Sequence, residues 1–118
     1  MQTAELVDYC KAHPITDIGF SYHNQHISAI TLHLTNDLAI QLEAVSDCPS
    51  LCWFKLRDDM GQSCKDRVLT AIETSNQEGS NTEITLVFED GTNYQLVMHD
   101  DSEGFYSSWV TTRRVSTV

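Results

Sequence analysis

The chain is 118 residues long, with 17 acidic against 7 basic side chains and a formal charge of −10. That length makes one domain, residues 1–118, and chains of this size bury about two-thirds of their unfolded surface, enough for a real core. A composition of 41% hydrophobic and 20% charged residues excludes a disordered chain, and the acidity excludes phosphate-led nucleic-acid binding and adhesion to anionic membranes.

Thr3 is a candidate N-cap, and Leu6, Val7 and Cys10 recur at near-helical spacing. Pro14 forbids continuation past His13, so a short helix is expected over 3–13. A strand is expected over 15–22, where Ile18, Phe20 and Tyr22 alternate. Residues 27–35 and 38–45 read as a hairpin. Ile30, Leu32 and Leu34 share one face with Ile40, Leu42 and Ala44, and Asn36-Asp37 supplies a turn whose positive φ both residues tolerate. Leu51–Leu56 is a further strand after the breaker Pro49.

Asp58-Asp59-Met60-Gly61 opens a second predicted helix, with acid at its positive end and Cys64, Val68, Ala71, Ile72 and Ser75 as its buried stripe. A polar loop follows over 76–81. A second hairpin, 83–89 and 92–99, is turned by Asp90-Gly91, the strongest short hairpin signal in the chain. Ile84, Leu86 and Phe88 should face the same way as Tyr94, Leu96 and Met98. Phe105–Thr112 is the last predicted strand, and residues 113–118 read as a short tail or a frayed end of that strand.

The two hairpins align at an offset of 54, the difference between Ile84 and Ile30. Thr31, Leu32, Gln41, Leu42 and Asp47 then fall on Thr85, Leu86, Gln95, Leu96 and Asp101. Two amphipathic hairpins of equal length also match by patterning alone. The expected fold is α+β: two helices on one face of a largely antiparallel sheet of about six or seven strands, with a duplicated helix-plus-hairpin unit as its origin. The far face would carry Thr31, His33, Gln41, Glu43, Thr85, Glu89, Asn93 and Gln95.

Chemistry-bearing clusters are sparse. Cys48 and Cys52 stand as C-x3-C, with Cys64 twelve residues later, which is neither zinc-ligand nor redox spacing. His23, His26 and His33 match no metal motif and read as surface histidines. Asp100-Asp101-Ser102-Glu103-Gly104 lacks the calcium-loop pattern and reads as a solvated loop. There is no G-x-S-x-G, and the 5 glycines form no phosphate loop. No catalytic residue, metal ligand or cofactor is therefore assigned, and the protein is expected not to be an enzyme.

Ile84-Thr-Leu-Val-Phe-Glu-Asp-Gly followed by His99-Asp-Asp-Ser-Glu-Gly is similar to small bacterial and phage proteins of uncharacterised function that carry a strand, a D-G turn, a strand and an acidic motif. The likeness covers about a quarter of the chain. It implies a bacterial or mobile-element origin, and the Cys-Cys pair found in such proteins is missing here.

Charge placement is more informative. From Val68 to Thr112 there is no Lys or Arg, yet eight acidic residues fall there. Such a field steers basic partners. The expected function is a small binding protein of the immunity, antitoxin or inhibitor type, covering a basic protein partner through Glu83, Glu89, Asp90, Asp100, Asp101 and Glu103. The alternative is a self-associating accessory protein, a homodimer, using its sheet and the aromatic last strand (Phe105, Tyr106, Trp109). The opening residues show no signal peptide, so a cytoplasmic setting with reduced thiols is expected.

Overall fold

The computed structural model describes residues 13–35, 37–46, 52–57, 59–76, 81–101 and 108–116. Eight strands and one helix run through them: β1 (Ile15–His23), β2 (His26–Leu34), β3 (Leu38–Ser46), β4 (Cys52–Leu56), α1 (Met60–Cys64), β5 (Leu69–Asn76), β6 (Thr82–Phe88), β7 (Asn93–Asp100) and β8 (Ser108–Ser116). Every paired strand is antiparallel, in the order β5-β6-β7-β4-β2-β3-β8, and β1 also pairs with β2. The sheet curls into a half-barrel.

This corrects the expected α+β arrangement. The described residues form no helical layer, only the single turn and a half of α1. The predicted helix at 3–13 lies outside the described residues except for His13, which is not helical. The second predicted helix survives only as Met60–Cys64, with Asp59 capping the Gln62 N–H at 3.3 Å. Asp66 then takes φ +65° and breaks the helix. Beyond it Thr70, Ile72 and Thr74 are β-branched, and β6 offers a full ladder of hydrogen bonds to the segment. Long-range pairing overrode an apparent helical stripe that a bulge between Leu69 and Ala71 had produced. The last strand also runs later than expected, and the stretch 102–107 lies outside the described residues.

The register reveals a repeat, but not of a helix plus a hairpin. Phe20 pairs with Ile30, and Thr74 with Ile84; Leu32 pairs with Ile40, and Leu86 with Tyr94. Each partner of the second pair stands 54 residues beyond its counterpart, since 74 − 20, 84 − 30 and 94 − 40 agree. Even the bulges coincide, between Ile15 and Asp17 and between Leu69 and Ala71. At each bulge a threonine hydroxyl donates across to β2 or β6: Thr16 to the His33 carbonyl at 3.2 Å, and Thr70 to the Val87 carbonyl at 3.1 Å. Patterning of apolar residues does not dictate a matching bulge or a matching side-chain bond. The repeated unit is a three-stranded meander, β1-β2-β3 and β5-β6-β7.

The fourth strand of each unit is exchanged. β4 follows the first meander in sequence but pairs with β7 of the second, Phe54 opposite Met98. β8 follows the second meander but pairs with β3 of the first, Val110 opposite Ala44. The halves β1-β2-β3-β8 and β5-β6-β7-β4 meet in the ladder through Ile27 and Phe54. Inside the curl lie Ile30, Leu32, Ile40 and Leu42 from one half and Ile84, Leu86, Leu96 and Phe54 from the other, all buried in one cluster. Met60 and Cys64 of α1 join it. No helix among the described residues is long and apolar enough to cross a membrane.

Candidate functional site

The β6–β7 turn is held by its own sequence. Gly91 takes φ +86°, a region open to glycine, and its N–H donates to the Phe88 carbonyl at 3.1 Å. Asp90 accepts from the Thr92 N–H at 2.9 Å and from the Thr92 hydroxyl. These bonds, with a smaller effect of the Arg67 guanidinium, hold the Asp90 carboxyl below the ordinary carboxylate range.

Arg67 ties this turn to the rest of the fold. Its Nε donates to the Ser63 carbonyl at 2.7 Å, and its Nη1 to the Thr92 hydroxyl at 2.8 Å and to the Asp90 carboxylate. Its backbone carbonyl accepts from the Ile15 N–H at 2.9 Å, and the Glu89 N–H donates to the Val68 carbonyl at 2.9 Å. α1, β1 and the turn thus converge on one arginine. Around it opens a shallow recess of about 340 Å³ lined by Asp66, Arg67, Val68, Glu89 and Asp90. Asp66, Glu89 and Asp90 are exposed there. The recess holds three carboxylates against one guanidinium.

The acidic residues singled out from sequence do not form one patch. Glu89 and Asp90 stand at one end of β7, Asp100 and Asp101 at the other, separated by eight residues of strand, or roughly 26 Å. Asp100 is buried opposite Cys52, not a surface carboxylate. Asp101 is exposed, 3.6 Å from the His99 ring. Glu83 lies half-buried on the outer face and accepts from Gln95 at 3.4 Å. Glu103 lies outside the described residues.

Strand exchange also breaks up the one-sign field read from the sequence. Lys55 of β4, opposite Val97, and Arg57, within 3.4 Å of Gln95, are brought onto the outer face of the basic-free half. Asp66 and Arg67 were missed because they precede the stretch that drew attention. The signal available was the D-G turn itself, which returns Glu89 to Val68.

Near Asp101 sits a second cluster. The Trp53 ring stacks on His26 with centroids 4.1 Å apart and lies 4.9 Å from His99, tilted. His23 faces His26 across the β1–β2 turn, while His33 lies seven positions further along β2 beside Thr16 and Asp17. Among the described residues no three His, Cys, Asp or Glu side chains gather as a metal set. Cys52 and Cys64 are buried, and burial pushes the Cys64 thiol up to about 12. Cys10 and Cys48 lie outside the described residues.

Comparison with family models, curated proteins and solved structures finds no match to this chain.

Proposed function

We propose that the protein is a small, non-enzymatic binding protein of the inhibitor or immunity type that engages a basic protein surface, and that it acts in the cytoplasm. The observation that carries this is the recess where Asp66 and Glu89 flank an Arg67–Asp90 pair. Arg67 locks the turn, so the acidic groups are presented on a fixed frame, and preorganised charge speeds and orients association. The net charge of −10 acts in the same sense at long range. Asp90, already engaged by Arg67 and Thr92, contributes less than its two exposed neighbours.

The test is capture of partners from a lysate by immobilised full-length protein, alongside an Asp66→Lys/Glu89→Lys variant, at low and high salt. A basic protein held by the native chain at low salt, released at high salt and not held by the variant is the expected result. Equal retention by native chain and variant would sink this reading.

A further inference from the structure

We infer that a second copy of this chain can complete each half of the fold, so that two chains associate by reciprocal exchange. This is independent of the acidic recess. Each half already depends on a strand that is foreign to its own meander. β8 supplies nine register positions to β3, from Leu38–Ser116 to Ser46–Ser108, and β4 supplies five to β7. The two seams are chemically alike. Arg113 of β8 donates to Gln41 of β3, and Arg57, just past β4, donates to Gln95 of β7. Trp109 and Trp53 stand opposite Val45 and His99, which are 54 residues apart (99 − 45). Nothing in either seam requires that the incoming strand belong to the same polypeptide.

The link that decides this is short. β4 ends at Leu56 and α1 begins at Met60, so residues 57–59 join a strand built into the second half to a helix packed on β1 and β7. Arg57 and Asp59 are exposed, so extending this link uncovers no core at those positions. Short hinges of this kind favour exchange between copies, because monomer and dimer share every seam and differ only at the hinge. Opening both seams is required to pass between the two forms. Dimer therefore forms during folding and scales with concentration at that step.

Glu43 and Thr111 face each other across the β3–β8 seam, both half-buried on the outer face. One full-length chain carries Glu43→Cys and another Thr111→Cys. The two are unfolded, refolded together at high concentration and oxidised. The expected result is a dimer whose disulfide-linked peptide joins position 43 of one chain to position 111 of the other. In parallel, native protein refolded over a range of concentrations should show, by light scattering, a dimer-to-monomer ratio rising in proportion to concentration. A dimer without the 43–111 link has another interface and overturns the inference. So does native protein that refolds only as monomer at every concentration, whatever the cysteine variants do. A link formed equally by mixing folded monomers reports collision and also overturns it.

Discussion

Arg113 Nε donates to Gln41 Oε1 at 2.9 Å across the β3–β8 seam, and its counterpart Arg57 reaches Gln95 Oε1 at 3.4 Å across the other half. The bond joins strands that are far apart in sequence but adjacent in the sheet. Both arginines are exposed, so each contributes modestly. Replacing Arg113 with Ala is expected to lower unfolding free energy by about 1 kcal/mol, and Arg57→Ala by less, because its bond is longer. A double-mutant cycle with Gln41→Ala in urea should show coupling of about 0.5 kcal/mol or more. Additive effects would mean that the seam is held by its backbone ladder alone.

The repeat makes a prediction about the core. Leu32 and Leu86 occupy equivalent positions on β2 and β6, and both are fully buried in the same cluster. Truncating either to Ala removes buried surface and leaves a cavity, at a cost of about 2–5 kcal/mol. Because both halves share one interior, each variant should unfold in a single transition at a lower midpoint. Two separated transitions in thermal melts would show that the halves unfold independently.

Much of the sheet was legible in the chain. Both hairpins were placed to within about a residue, since strict alternation and the Asn36-Asp37 and Asp90-Gly91 turns specify them locally. The offset of 54 was visible too, but its unit was misjudged. Residues 69–75 read as helical because a bulge shifts Ile72 out of period-two alternation with Leu69, and that same bulge marks β5 as the counterpart of β1. Strand exchange was not legible at all. Which meander receives Cys52–Leu56 is decided by long-range closure, and no local signal records it. The placement of Lys55 and Arg57 was hidden for the same cause: they lie outside the acidic stretch in sequence and beside it in space.

Cys64 supplies a test at alkaline pH. Its side chain is buried beside Met60, and burial lifts the thiol from 9.0 to about 12, with Arg67 opposing the shift. The folded state therefore keeps a proton that the unfolded chain releases between those values. The corresponding stability is fully present below pH 9 and is lost as pH rises towards 12. A single proton gives a slope of up to about 1.4 kcal/mol per pH unit. Urea midpoints of native protein should fall more steeply over this range than those of Cys64→Ala. The same burial should leave Cys64 unlabelled by iodoacetamide at neutral pH until the chain is unfolded. Rapid labelling of the folded protein at Cys64 would contradict the buried placement.

Asp90 supplies the opposite test at acid pH. The Thr92 hydroxyl and N–H, and to a lesser degree Arg67, hold its carboxyl below 3.8. A carboxyl depressed in the folded state stabilises above its unfolded value, and that contribution disappears as pH falls through the folded value. Native protein should therefore lose stability below about pH 4 more steeply than Asp90→Asn, which retains a side-chain oxygen able to accept from Thr92 but does not titrate. Thr92→Val removes the hydroxyl that contributes most to the shift, and it should flatten the acid limb towards that of the Asn variant. Thermal midpoints between pH 2 and pH 6 decide the matter. Parallel limbs for all three proteins would mean that the turn is held by Gly91 and the backbone rather than by the carboxylate that Arg67 and Thr92 surround.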